Sequence, residues 1–199
     1  MKDMHFEIIA KDSIYQGFFN LDLMTLRHTL YNGGWTAPLK RELYRRNDCV
    51  AVLLYDPGPD RIVLLEQFRV GAMFQAQRSW LLEIVGGAIE SGETPEQVAY
   101  RETQEEAGCQ IEELIEIMNF YTSPGGSSEK ITLYCGRVDS ASIGGVLGLQ
   151  EEGEDILVRT YLAEEVYAML KNGEIESAIT IIAIQWHMLH RQELRNKWQ

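Results

Sequence analysis

The chain has 199 residues, 45% of them hydrophobic and 24% charged, a composition typical of a soluble globular protein with one sizeable core. Its formal charge of −12 argues against a nucleic-acid polymer or an anionic membrane as partner, but leaves room for a small phosphate ligand bound through metal. Cys49, Cys109 and Cys135 are scattered without metal-ligand spacing, no apolar run approaches transmembrane length, and the first residues lack a signal-peptide core, so the cytosol is the expected compartment.

Residues 5–46 read as short strands and turns, with Asn32-Gly33-Gly34 as a hairpin-turn signal and three arginines within 41–46. The apolar run 49–55 predicts a buried strand, 56–60 (DPGPD) a turn, and 62–68 a second strand. A further strand is predicted over 80–85, broken by Gly86-Gly87. Thr94-Pro95-Glu96-Gln97 then carries helix-start chemistry, with a Thr cap, Pro in the first position and Gln in the third, and Gly108 supplies the stop. The inward side of this helix is read as Ala99, Tyr100, Thr103 and Ala107. Strands are predicted over 114–121 and 131–138 around the loop 123–128 (SPGGSS). A glycine-rich acidic stretch, 144–155, precedes a strand over 156–162. Two helices finish the order, 164–172 ending at Gly173 and 177–197 with an apolar stripe. One central and two terminal helices among many strands predict an α+β or mixed α/β fold.

The helix after Thr94 carries the chemistry. At about 100° per residue, Glu102, Glu105 and Glu106 fall on one face. Like charges at that spacing repel by about 0.2–0.5 kcal/mol per pair, which a divalent cation would offset. A solvated acidic face is the ordinary explanation of a glutamate pair. Here, however, Gly87, Glu93, Arg101, Glu102, Glu105, Glu106 and Gly108 stand in fixed order. With each type at about 5–8% of typical sequences, a chance match at a given start is on the order of one in 10⁸.

That order resembles the Nudix box, G-x5-E-x7-R-E-U-x-E-E-x-G-U with U apolar, at every charged and glycine position. Thr103 and Cys109 stand at two U positions, departures that touch packing rather than chemistry. The resemblance implies an α/β/α sandwich around a mixed sheet, preceded by a small antiparallel N-terminal sheet. It also implies Mg²⁺ as cofactor, with Mn²⁺ as a substitute. Glu102 and Glu106 are the implied ligands, with Glu105 close by and the Gly86 carbonyl joining them. Magnesium suits such a site, because it takes one or two carboxylates together with substrate phosphates. Arg101, one turn before Glu105, can pair with it and is read as an orienting residue, and Glu93 as a structural carboxylate.

The resemblance extends along nearly the full length. Glu66-Gln67-Phe68-Arg69, Leu82-Glu83, Ser123-Pro124-Gly125-Gly126, Gly153-Glu154-Asp155-Ile156, Gly17-Phe18-Phe19 and Ala183-Ile184-Gln185-Trp186 are similar to segments of the ADP-ribose pyrophosphatase subfamily. Pro124 lies 16 residues past Gly108, the placement associated with that branch. An acidic run such as Glu151, Glu152, Glu154 and Asp155 is ordinarily a solvated loop. Here the resemblance implies Glu152 as the general base and Glu154 as a further metal ligand, with Glu151 or Glu154 as alternative bases. It also places Arg41, Glu42, Arg46 and Arg69 near the substrate, Phe18 and Phe19 at the adenine, Ser123, Pro124 and Gly125 at the terminal ribose, and Ala88 within substrate contact. The four histidines lack metal or triad spacing and are read as non-catalytic.

The implied organisation is an N-terminal β-rich segment, 1–47, for dimerisation and substrate contact, followed by a hydrolase domain, 48–199. The implied partner is a nucleotide diphosphate sugar, and the implied assembly is a homodimer that exchanges N-terminal contacts through residues 15–23. The expected reaction is Mg²⁺-dependent hydrolysis of ADP-ribose to AMP and ribose 5-phosphate. The alternatives are the same chemistry on another nucleotide sugar such as GDP-mannose, or a nucleotide sensor without turnover.

Overall fold

The computed structural model describes residues 3–74 and 79–199, with the backbone but not the side chain of Glu152. These form two compact units, Met1–Asp48 with Tyr121–Lys130, and Cys49–Phe120 with Ile131–Gln199.

The first unit is an antiparallel sheet of β1 (Phe6–Gln16), β2 (Asn20–His28) and β3 (Leu39–Arg45) in that order. The β2–β3 connection turns where the glycines predict it: Gly33 and Gly34 have φ of 90° and 79°. There the Leu30 N–H donates to the Gly34 carbonyl at 3.0 Å. Strand β1 is an edge strand, and its register slips between Ile8 and Ala10 and again between Ser13 and Tyr15, a common way of managing an exposed edge. Its apolar side chains Phe6, Ile8, Ile14 and Tyr15 are exposed. Beyond β3, the Tyr44 N–H donates to the Gly126 carbonyl at 2.8 Å and the Ser128 N–H to the Tyr44 carbonyl at 3.1 Å, tying the loop 121–130 to this sheet.

The second unit holds a mixed sheet. Its strands are β4 (Cys49–Asp56), β5 (Arg61–Phe68), β6 (Trp80–Glu83), β7 (Val85–Ala88), β8 (Glu113–Tyr121), β9 (Lys130–Arg137), β10 (Gly145–Leu147) and β11 (Ile156–Leu162). The order is β10-β11-β5-β4-β9-β8, with β6 added beside β5 and β7 beside β4. Strands β4 and β9 run parallel, while β5 is antiparallel to β4, β6 and β11.

Every residue of β4 is buried, as a strand covered on both faces requires. Ala51, Leu53 and Tyr55 pack with Val166 of α2 (Ala163–Lys171) and Ala183 and Ile184 of α3 (Ala178–Trp198). Val50, Val52 and Leu54 pack on the other face with Val98, Ala99 and Ala107 of α1 (Pro95–Ala107). Each buried Val or Leu contributes about 1.5–3 kcal/mol. This is the α/β/α arrangement expected, with α1 alone on the site-bearing face among the described helices. No helix among the described residues is long and apolar enough to cross a membrane.

Two local expectations are corrected. Gly86 and Gly87 do not break a strand but lie inside β7, opposite Ala51 and Val50 of β4. The break falls at Ile84, between β6 and β7. The glycines serve close approach: a Cβ at Gly86 would stand 3.1 Å from the Val50 carbonyl oxygen. On α1, Tyr100 is 46% exposed rather than inward, and Val98 and Glu106 are buried instead.

Candidate active site

Helix α1 starts on a capping box. The Gln97 N–H donates to Thr94 Oγ1 at 3.3 Å, and the Thr94 N–H donates to Gln97 Oε1 at 2.8 Å. It ends at Gly108, whose left-handed backbone (φ 63°) closes the last turn onto the Gln104 carbonyl. Between these fixed ends the glutamates face β7. Glu106 is 2% exposed, and its Oε2 accepts the Gly86 N–H at 2.9 Å. One turn earlier, Glu102 lies over Gly87, where only a glycine leaves room for its carboxylate.

Arg101 organises the exposed side of the cluster. Its Nε and Nη2 grip the two Glu93 oxygens at 2.9 and 3.1 Å, while Nη1 reaches Glu102 at 2.7 Å and Glu105 at 3.0 Å. The spacing predicted only the Glu105 contact. Glu93 also accepts the Glu90 N–H at 3.0 Å, and the Arg101 hydrogen bond, with that of Glu90, holds its carboxyl below the usual range.

Electrostatics separate the acids. Burial raises Glu102, against the opposing effect of Arg101. Burial likewise pushes Glu106 up to about 8; the Gly86 N–H works against this, and the Glu102 and Glu154 charges add to it. The Arg69 charge pulls the other way. These mutual influences bring Glu102, Glu106, Glu154 and Arg69 into one site.

Glu154 arrives from the turn before β11, where Gly148 (φ 105°) and Gly153 (φ 73°) take backbone that other residues rarely adopt. Its Oε2 accepts the Leu149 N–H at 3.0 Å. Glu152 ends the short helical turn Gln150–Glu152, but its side chain, the expected base, lies outside the described residues. Arg69 Nε donates to Glu83 Oε2 at 2.7 Å, a partner that sequence reading missed. Ala88 sits at the end of β7, its carbonyl accepting from Arg101 at 3.5 Å.

The remaining expected residues lie in the first unit. Arg46 is held by Glu129 at 2.7 Å and stacks over the Phe19 ring at 4.8 Å. Phe19 also meets Tyr44 (4.9 Å) and Phe18 (4.6 Å). Phe18 itself is 92% exposed. Arg41 and Glu42 lie on β3, and Arg41 Nη1 donates to the Lys40 carbonyl at 2.8 Å. Ser123, Pro124 and Gly125 form the turn at the tip of the loop, where the Ser123 carbonyl accepts from Gly126 and Ser127.

The donor set suits a hard divalent cation: carboxylate oxygens, two of them on side chains whose burial disfavours their charge. Among the described residues, no three acidic, histidine or cysteine side chains already stand at metal-ligand spacing. Each acid is instead engaged by a protein donor: Glu102 by Arg101, Glu106 by Gly86 and Glu154 by Leu149. Of the histidines, His187 is buried with Nδ1 2.8 Å from the Tyr167 hydroxyl, and His190 stacks on Trp186 at 4.5 Å.

Known proteins resemble this chain over the segment that holds β7 and α1. The NUDIX domain model matches residues 45–180. The chain belongs to the NUDIX family. It is 42% identical over 96% of its length to the ADP-ribose pyrophosphatase of Escherichia coli (strain K12), covering 92% of that protein. It is 41% identical over 97% of its length to the ADP-ribose pyrophosphatase of Haemophilus influenzae, covering 90% of it. A GDP-mannose pyrophosphatase of Citrobacter koseri is 30% identical over 94% of this chain and 96% of its own. In fold, the chain is similar to a crystal structure of an ADP compounds hydrolase, with a TM-score of 0.69 and 19% identity over 97% of this chain and 96% of that one. Residues 87–109, which resemble the NUDIX box, run from the end of β7 through the following turn and α1.

Proposed function

We propose that this protein hydrolyses ADP-ribose to AMP and ribose 5-phosphate in a Mg²⁺-dependent reaction. The observation that carries the reading is the grouping of Glu102, Glu106 and Glu154 with Arg69 on the α1 face of the sheet. The 41–42% identity to proteins named ADP-ribose pyrophosphatases supports the substrate.

Glu102, Glu105, Glu106 and Glu154, with the Gly86 carbonyl, would hold the metal. When bound, Mg²⁺ or its substitute Mn²⁺ supplies charge neutralisation at the diphosphate and lowers the pKa of water. The chain's own groups do the rest. Gly87 leaves the space in which Glu102 is seated, and Arg101 fixes the acids that flank it. Arg69 balances phosphate charge. Glu152 accepts the proton of the attacking water, on a turn whose glycines permit it to close over substrate.

In the same reading, Arg41, Glu42 and Arg46 contact the substrate, Phe18 and Phe19 the adenine, Ser123, Pro124 and Gly125 the terminal ribose, and Ala88 the substrate beside the box. Residues 1–47 serve dimerisation and substrate contact, and 48–199 carry catalysis. A homodimer that exchanges N-terminal contacts is supported by the exposed apolar side chains of β1. Three free cysteines, two of them buried, suit a reducing cytosol.

A substrate panel with Mg²⁺ tests the reading: ADP-ribose, ADP-glucose, GDP-mannose and NADH, scored by product. AMP release from ADP-ribose at the highest kcat/KM is expected. Preference for GDP-mannose would replace the substrate, and tight ADP-ribose binding without AMP release would replace the enzyme by a sensor.

A further inference from the structure

Gln67, the penultimate residue of β5, carries a buried side-chain amide nitrogen that no group among the described residues satisfies. Val63 and Leu65 of this strand belong to the core cluster that packs against α1. The two-residue period of a strand puts Gln67, and then Arg69, on the same face. Pairing with β6 agrees: Leu65 stands opposite Glu83 and Gln67 opposite Leu81. Arg69 extends the ladder by donating its N–H to the Ser79 carbonyl at 2.8 Å. The Arg69–Glu83 ion pair therefore brackets Gln67, its two residues lying on either side of the Gln67–Leu81 step. On the other edge of β5, Leu157 pairs with Glu66, so the turn that carries Glu154 enters the sheet alongside Gln67.

Gln67 is 7% exposed, and its buried Nε2 has no hydrogen-bond partner among the described residues. A buried amide left without its partner destabilises the fold, because its desolvation is not repaid by a hydrogen bond. Structures tolerate such a cost where a ligand completes the bond. The Nε2 group is a donor and cannot coordinate a cation, so the missing partner is an acceptor. Glu83, one step along the β5–β6 ladder, is already engaged by Arg69.

We propose that Gln67 is a substrate-binding residue of this site, its Nε2–H donating to an anionic phosphate oxygen held beside Arg69. The inference rests on the diphosphate reading and adds to it a neutral donor that the box does not contain. Arg69 supplies charge, and Gln67 supplies direction without adding a second cation.

Two variants test it. Gln67→Met keeps the length of the side chain and removes the orphan amide, so its unfolding temperature should equal or exceed that of the unaltered protein. Its affinity for α,β-methylene ADP-ribose, measured calorimetrically, should fall about tenfold, and KM for ADP-ribose should rise while kcat changes less. Gln67→Glu, an isostere that sets a negative charge against the phosphate, should weaken binding further. Analogue affinity within twofold of the unaltered protein in either folded variant overturns the proposal. If the unaltered protein bound neither this analogue nor GDP-mannose, the diphosphate reading would fall, and the Gln67 assignment with it. Analogue binding by the unaltered protein that both variants retain removes Gln67 alone.

Discussion

Gly87 lies so close to Glu102 that a Cβ on it would come within 1.7 Å of the Glu102 Oε1. The glycine is required by the carboxylate above it rather than by a turn, since it sits inside β7 opposite Val50. Gly87→Ala must therefore push Glu102 off its place while leaving the β4–β7 ladder intact. Mg²⁺ affinity should fall about 10–100-fold, and kcat on the order of 100-fold. Titration calorimetry and steady-state kinetics check this, and a variant with unaltered Mg²⁺ affinity would show that the Glu102 position is immaterial.

The metal-free protein should lose stability toward alkaline pH. Glu106, raised by burial from 4.5 to about 8, binds its proton more tightly folded than unfolded. Its contribution is full below pH 4.5 and is lost as pH rises toward 8. His187, lowered by burial from 6.5 to about 4, acts with the opposite sign: its contribution is full above pH 6.5 and is lost as pH falls toward 4. Between pH 6.5 and 8 only the Glu106 slope of this pair operates, worth at most about 2 kcal/mol over that range. Urea denaturation in EDTA should show the decline, and Glu106→Gln should flatten it. An equal decline in both proteins would locate the titrating group elsewhere.

Thr103 stands where the NUDIX box has an aliphatic residue, and its fully buried Oγ1 has no hydrogen-bond partner among the described residues. Thr103→Val keeps the shape and removes the orphan hydroxyl. Stability should rise by about 1 kcal/mol and the unfolding temperature by roughly 2–4 °C, with kcat/KM unchanged. Destabilisation would mean that the hydroxyl has a partner, such as water, that the valine loses.

What could be read from the chain follows the range of the interactions. The buried strand β4 and the caps of α1 were legible because apolar runs and capping residues act within a few positions. The shared face of Glu102, Glu105 and Glu106 follows from helical period alone. The Gly86-Gly87 pair misled because glycine signals a turn and a close approach in the same letter. Arg69 with Glu83, and the placement of Gln67, depend on the β5–β6 register, which no local pattern specifies. Arg46 with Glu129 joins residues far apart in the chain. The bidentate hold of Arg101 on Glu93 reaches from the helix back into the preceding turn, outside the one-turn spacing that predicts helical pairs.

Arg101 is the cation on which Glu93, Glu102 and Glu105 converge. Without it, three carboxylates lie together and Glu102 loses its protein donor. Arg101→Met should lower the unfolding temperature in EDTA by roughly 4 °C, and saturating Mg²⁺ should recover part of that loss because Glu102 then has another cation. Thermal unfolding with and without Mg²⁺ distinguishes the cases. A loss of equal size in both would mean that the guanidinium braces the Glu93 turn and does not act on the metal-binding face.

Phe18 and Phe19 are adjacent in sequence but differ in surroundings, and their variants should differ accordingly. Phe19 is packed by the Tyr44 ring and the Arg46 guanidinium, whereas Phe18 touches Phe19 by its edge and is 92% exposed. Truncating Phe19 removes a support of Arg46 and a ring from Tyr44. Each such aromatic pairing is worth roughly 1 kcal/mol, so the unfolding temperature should drop by several degrees. Truncating Phe18 removes little that the isolated chain uses, so Phe18→Ser should unfold within about 1 °C of the unaltered protein. If its exposed face stacks on adenine, the same variant should bind ADP-ribose about tenfold more weakly, the scale of one base–aromatic stack. Its affinity for ribose 5-phosphate, which has no base, should not change. Equal weakening toward both ligands would assign Phe18 to the geometry of the site as a whole, and no weakening toward either would leave it to a protein interface.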